Sequence, residues 1–385
     1  MLTLGKAFAV LFVVFLVGCA GNPRHPRAQV PDWESQDAGS VIRQSPPSPP
    51  SHIAIPESFP TLPIPQKALA ETWVSLNRWS RANGYMEPCR LDPRGGQPLP
   101  TYALNTSNGV FVLRAGSQSA FWDGLEFRLG FAPQLIDDQP FVHALDLKKT
   151  IEPLIGGSGR SFFKSSSVIV IDPGHGGENA GTKSVLGNRY EKEFTLDWAR
   201  RLEALLATNG WRVFLTRTND TDLSLSNRVA FAHEHKASLF LSLHFNSSAP
   251  KEDQEGLETY CLTPAGMPST VTRGFADDLT LGFPNNTFDE QNLQFAFHVH
   301  RALLQANGFR DRGVRHARFL GVLRWQQRPA ILVEGGYLSN PREAKLIADP
   351  AYRQKLAEAV AGALEGRGPG TSGQKSEVGS TAPLP

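Results

Sequence analysis

Apolar and polar positions change rhythm three times along the 385 residues. Residues 7–17 are an unbroken apolar run of Ala, Val, Leu and Phe behind a single Lys6. The run is shorter than the roughly 20 residues a transmembrane helix needs, and it suits the apolar region of a signal peptide. From 20 to about 66, Pro and Ser interrupt every apolar cluster, with Pro46-Pro47-Ser48-Pro49-Pro50 at the centre. Such a stretch cannot bury a core and is predicted to be an extended linker, reaching on the order of 100 Å at about 3 Å per residue. Between 68 and 155 the pattern is mixed. Helical spacing over 71–84 sets Trp73, Leu76, Trp79 and Ala82 on one side. Short apolar segments at 102–104, 109–113, 125–129 and 139–143, split by turns, predict the strands of a small β-rich (α+β) domain. It reads as a structural or wall-contacting module.

From 165 to 366 short apolar runs alternate with helical periodicity. Strands are predicted at 168–171, 212–215, 239–243, 256–262 and 330–333. Helices are predicted at 195–206, 224–233, 289–305, 341–348 and 352–364, with Asn209-Gly210 and Asn307-Gly308 as stops. That alternation implies an α/β fold: a mainly parallel, twisted sheet flanked by helices on both faces. The tail, 367–385, is rich in Gly, Ser and Pro and is predicted to be disordered.

Composition changes this picture little. Lys and Arg total 39 against 37 Asp and Glu, a formal net charge of +2. No basic stripe marks a nucleic-acid partner. The end of the first apolar run matters more. Leu16-Val17-Gly18-Cys19 resembles a bacterial lipobox, in which the signal peptide is cut before the Cys and the Cys is lipidated. With Ala20 following, the resemblance implies sorting to the periplasmic face of the outer membrane. Cys89 and Cys261 remain, and their pairing is left open.

Ligands of open α/β sheets collect beyond the carboxyl ends of the strands. Three predicted strands run into polar residues there. The strand at 168–171 enters Asp172-Pro173-Gly174-His175-Gly176-Gly177, that at 239–243 enters His244, and that at 330–333 enters Glu334. Glu191 precedes the first long helix. Taken singly, each has an ordinary reading: a surface His after a Gly-rich turn, or a solvated helix start. Together, two imidazoles and a carboxylate are the ligand set of a catalytic zinc site with one position open for water. Glu334 would then be the carboxylate that moves the proton of that water.

The ordered set Asp172 to Gly177, Glu191-Lys192-Glu193-Phe194-Thr195-Leu196, Leu215-Thr216-Arg217, Leu225-Ser226-Asn227-Arg228, Ser242-Leu243-His244-Phe245-Asn246 and Val333-Glu334-Gly335-Gly336-Tyr337-Leu338-Ser339-Asn340 resembles the zinc-dependent N-acetylmuramoyl-L-alanine amidase family (amidase type 3). The resemblance covers roughly 167–364. It implies Zn²⁺ on His175, Glu191 and His244, with Glu334 catalytic. The reaction implied is hydrolysis of the amide between the lactyl group of N-acetylmuramic acid and L-alanine in peptidoglycan, by a zinc-activated water, in wall remodelling or daughter-cell separation. It is compatible with a monomer and leaves room for a protein activator. Two rivals stand beside it: a zinc peptidase of the stem peptide, and a non-catalytic wall-binding lipoprotein.

Three features depart from the family pattern. Glu193 stands where Asp is usual and offers a second carboxylate close to Glu191. Gly336 stands where a Phe often follows. Segment 270–292 is less typical than the family core. Arg217 and Arg228 could hold an acidic peptide carboxylate, but read rather as buried structural ion-pair partners. Asn246 reads equally as an orienter of His244 or a substrate contact. His298 and His300, two apart, point to different faces of a helix and are not a metal pair. His316 reads as structural.

Overall fold

The computed structural model describes residues 73–91, 99–157, 167–271 and 277–366. The expected signal peptide with Cys19, the Pro/Ser linker and the tail 367–385 lie outside the described residues. The first region carries β1 (Trp73–Ser75), α1 (Leu76–Ala82), β2 (Cys89–Arg90), β3 (Thr101–Thr106), β4 (Gly109–Arg114), β5 (Ser119–Trp122), β6 (Leu125–Arg128), β7 (Gln134–Ile136), β8 (Gln139–His143), α2 (Ala144–Asp146) and α3 (Glu152–Gly156). The helix expected over 71–84 is shorter at its start. Trp73–Ser75 pairs antiparallel with β8, and Ser75 then caps α1 by accepting the Arg78 N–H.

The second region runs β9 (Val168–Pro173), α4 (Glu191–Thr208), β10 (Arg212–Leu215), α5 (Leu225–Glu234), β11 (Leu239–Asn246), β12 (Leu257–Cys261), α6 (Asp289–Asn307), β13 (Asp311–His316), α7 (Gly321–Arg324), β14 (Ala330–Tyr337), α8 (Pro341–Ala348) and α9 (Pro350–Leu364). Its strands lie in the order β10-β9-β11-β14-β12-β13 and are parallel except where β12 meets β14. The sheet does not stop there. β13 pairs parallel with β6, and the sheet continues antiparallel through β5, β4, β3 and β2. The β-rich region and the α/β region are thus hydrogen-bonded into one mixed sheet of eleven strands among the described residues. Phe127 of β6 also packs edge-on against Phe297 of α6, with ring centroids 5.6 Å apart.

Period-two alternation explains why the central strands read as continuous apolar runs. Ile169, Ile171, Leu239, Leu241, Leu243, Ile331 and Val333 face one core with Trp198, Leu202, Leu356 and Val360, under α4, α6 and α9. The intervening Val170, Phe240, Ala330 and Leu332 face a second core with Ala232, Val322 and Leu323, under α5 and α7. Each fully buried Leu or Ile contributes about 1.5–3 kcal/mol relative to exposure. A rigid, doubly covered sheet therefore carries the strand ends where the polar residues emerge. β13, with the sequence Asp-Arg-Gly-Val-Arg-His, shows no such alternation and is not predicted from the pattern. Arg312 is met by Glu258 of β12 and Asp311 by His300 of α6.

Candidate metal centre

β9 ends at Pro173, and Gly174 donates its N–H to the Leu243 carbonyl on β11 (3.0 Å). A Cβ at Gly174 would overlap the His244 ring, so only glycine lets the two strand ends approach this closely. The chain then turns through His175, Gly176 and Gly177, all at positive φ. A left-handed His is costly, and a cage of donors holds it. Arg228 donates to the carbonyls of Pro173 (3.0 Å) and His175 (2.8 Å), and Arg217 donates to those of Pro173 (3.0 Å) and Gly174 (2.9 Å). Buried Asp172 pairs with Arg228 (2.6 Å) and accepts from Thr216 and Ser242. Arg228 is the buried ion-pair partner expected of it, whereas Arg217 makes its hydrogen bonds to backbone carbonyls and Thr195.

Glu191 opens α4 rather than preceding it, and it is only 3% exposed. Its Oε2 accepts the Thr182 N–H (3.0 Å) and lies 3.0 Å from His175 Nε2. Its Oε1 accepts the Phe245 N–H (3.0 Å) and lies 3.0 Å from His244 Nδ1. One ligand atom from each of the three residues falls within 4.8 Å of the others, the spacing of a metal site. Asn179 Oδ1 sits 2.8 Å from His175 Nδ1; with the proton on that nitrogen, Nε2 offers its lone pair to the centre. Sequence reasoning missed Asn179, which carries no motif of its own.

Glu193 is turned away from this centre. Its side chain accepts the Tyr190 N–H (3.0 Å), capping α4, and pairs with Arg189 at the surface (3.0 Å). Burial alone would raise the Glu191 carboxyl, yet the two imidazoles beside it hold it well below the usual carboxylate range. For His175, burial disfavours the charged form, but Glu191 keeps the imidazole above its ordinary value. For the deeper His244 burial wins and lowers it.

Glu334 sits on β14 directly opposite His244 on β11. Its Oε2 is buried and has no hydrogen-bond partner among the described residues. Burial, and then the charges of Glu191 and Glu258, push this carboxyl far up. Gly336, at φ 122°, lets the strand bend past α8, where the Glu343 carboxylate accepts the N–H groups of Tyr337 (2.7 Å) and Gly256 (2.8 Å). That latch between β14 and the start of β12 also went unread in the sequence.

The remaining candidates are placed elsewhere. Asn246 donates to Glu258 (2.7 Å) and does not orient His244. His300 lies between Thr259 (3.0 Å) and Asp311 (2.9 Å). His316 is buried, and burial lowers it to about 4. Cys89 and Cys261 do not pair with each other, and burial pushes Cys261 out of reach of ionisation. In segment 270–292, Thr270 is tied to His316, and Arg318 donates to the Leu281 carbonyl (2.5 Å).

A family model described as N-acetylmuramoyl-L-alanine amidase matches residues 169–366, just over half of the chain. The amidase AmiA of Salmonella typhimurium is 29% identical over 246 residues, covering 58% of this chain and 84% of that protein. AmiA of Escherichia coli K12 is 30% identical over 216 residues, covering 50% and 73%. Among solved structures, the catalytic domain of the amidase CwlV from Bacillus (Paenibacillus) polymyxa var. colistinus is 33% identical, covers 51% of this chain and 96% of that one, and superposes with a TM-score of 0.43.

Proposed function

The chain belongs to the N-acetylmuramoyl-L-alanine amidase family, and from that premise we propose how its own residues hydrolyse the amide between the muramic lactyl group and L-alanine in peptidoglycan. His175, Glu191 and His244 would hold Zn²⁺. The donor set supports this: two imidazole nitrogens and a carboxylate oxygen converge, and Glu191 is anchored by two backbone N–H groups. When bound, the ion lowers the pKa of a water to about 7 and polarises the scissile carbonyl.

The observation that carries the mechanism is the orphaned Oε2 of Glu334 beside His244. An unpartnered buried carboxylate is costly, so its retention next to the ligand set marks a working group. Glu334 takes the proton from the attacking water and delivers it to the amide nitrogen that leaves with L-alanine. A carboxyl raised by burial holds that proton long enough to serve as acid after serving as base. Glu191, with both oxygens fixed, stays an anion throughout.

The test is digestion of purified peptidoglycan with the zinc-loaded protein, with mass spectrometry of the new ends. Free muramic lactyl groups must appear, whereas a stem peptidase would leave L-alanine attached. Glu334→Gln should lower kcat by about 10²–10⁴-fold with zinc content unchanged. An unchanged rate would return the protein to the wall-binding, non-catalytic reading.

Peptidoglycan lies outside the cytoplasmic membrane, and the apolar run 7–17 supports export. The lipobox-like Leu16-Val17-Gly18-Cys19 supports a lipid anchor on the periplasmic face of the outer membrane. In that arrangement 20–66 is the tether, 68–155 the accessory region and 165–366 the catalytic region of a monomer.

A further inference from the structure

The row of side chains on the Glu334 face of the sheet does not end at Glu334. Glu258 of β12 stands opposite Glu334, and Tyr260 of β12 stands opposite Arg315 of β13. Glu258 is 2% exposed at the side chain and accepts from Tyr260 Oη (2.6 Å) and from Arg312 Nε (2.7 Å). Burial works against its charge, yet Arg315 and Arg312 hold its carboxyl down at about 2.

One guanidinium would be enough to balance one carboxylate. Arg312 does so: its Nη1 also donates to Gln254 (2.8 Å), and its guanidinium lies 5.2 Å from the Tyr337 ring centroid. Arg315 is surplus. Its Nε donates to the Arg312 carbonyl (3.0 Å) and is 3.6 Å from Glu258, but its Nη1 and Nη2 donate to no group among the described residues. Glu126, whose field also reaches it, is taken by Ser119 Oγ (2.6 Å) and Arg128 (3.5 Å). The Arg315 side chain is 13% exposed, and neither Nη is sealed from solvent, so both nitrogens are open to a ligand.

Resting on the amidase reading above, we propose that Arg315, held by Glu258 and Arg312, is a carboxylate-binding subsite for the stem peptide. Glycan N-acetyl sugars carry no charge along the chain, whereas the peptide leaving the cleaved bond carries free carboxylates. Through Tyr260, Arg315 lies across from Leu332, two residues before Glu334, so its backbone is two strand spacings of about 4.8 Å across and roughly 6.6 Å along the strand from that of Glu334. An arginine side chain spans about half of that separation. The subsite therefore reaches a carboxylate within about two residues of the cleaved amide, at about 3.3–3.6 Å per extended residue. The fork of Nη1 and Nη2 suits bidentate capture of it.

The experiment uses the full chain with zinc and two synthetic muramyl peptides that differ only at the second stem residue, whose α-carboxyl is free in one and amidated in the other. The wild type should cleave the free acid with kcat/KM about ten- to a hundredfold higher, the difference lying mainly in KM. Arg315→Gln should erase that preference, and Arg315→Lys should restore part of it. A wild type that cleaves both peptides equally, or an Arg315→Gln variant that keeps the ratio, overturns the subsite. If Arg315→Gln does not fold, the wild-type ratio decides alone. Failure of the amidase reading looks different: neither peptide would release a free lactyl group from the wild type.

Discussion

Gly181→Ala perturbs the candidate metal centre without replacing any of its three side chains. Gly181 has φ +69°, and a Cβ built there would lie 2.7 Å from both Glu191 Oε2 and His175 Cδ2. Two costs follow. The left-handed backbone with a side chain costs roughly 1–2 kcal/mol. The new methyl also pushes apart two of the three ligands, whose oxygen and imidazole nitrogen now lie 3.0 Å apart. Misplacing ligands in this way is comparable to losing an orienting partner, which lowers metal affinity about 10–100-fold. Thermal unfolding in chelator reads the first cost alone, as a fall in Tm of about 2–4 °C per kcal/mol for a body of this size. Competition with a chromophoric chelator reads the second. Gly187→Ala is the control, because a Cβ there meets nothing within 4 Å. If Gly181→Ala binds zinc as tightly as wild type while Tm falls, the close approach of Gly181 to the ligands does not govern the site, and the argument from the cradle is wrong.

Other outcomes follow from the same geometry. Arg228→Met removes the partner of buried Asp172 and two donors to the His175 loop, so urea denaturation should show a loss of about 3–5 kcal/mol. Asp146 is fully buried, accepts the N–H groups of Gly130 and Phe131, and is pushed up to about 7 by burial. The folded carboxyl binds its proton more tightly than the unfolded one, so this contribution is full below about pH 4 and is lost as pH rises through 7. Unfolding free energies at pH 5 and pH 8 should converge in Asp146→Asn relative to wild type. Chelation should abolish amide hydrolysis, and added zinc should restore it, with little change in circular dichroism. The candidate ligands sit on β11, in the turn after β9 and at the start of α4, and the cores behind these elements are complete without an ion.

Much of the catalytic region is legible because its chemistry rides on regular elements. Val168, Ile169, Val170 and Ile171 read as a strand buried on both sides, and the structure divides them between two cores as period two requires. His175, Glu191, His244 and Glu334 each follow an apolar run or begin a helix, so their placement at one sheet edge could be argued before any coordinates. β13 was hidden for the opposite reason. Its Arg312 and Asp311 find their partners on other elements: Arg312 on Glu258 and Gln254, Asp311 on His300 and on the Glu126 N–H. No local pattern reports a neutralising partner dozens of residues away.

The choice between Glu191 and Glu193 shows the same division. Both carboxylates stand in the first turn of α4, and spacing alone leaves them alike. The turn of the helix sends Glu191 inward, to the N–H groups of Thr182 and Phe245 and to both imidazoles, and sends Glu193 back onto the Tyr190 N–H and Arg189. The sequence by itself determined which residue types were available, the strand and helix periods that carry them, and the family resemblance that orders them. Only the tertiary structure decided which carboxylate faces the two imidazoles, that Asn179 orients His175, that the β-rich region completes the sheet, and that Arg315 is left with idle donors. Those properties are sums over contacts between residues distant in the chain, and burial, hydrogen-bond satisfaction and charge balance exist only once the strands are side by side.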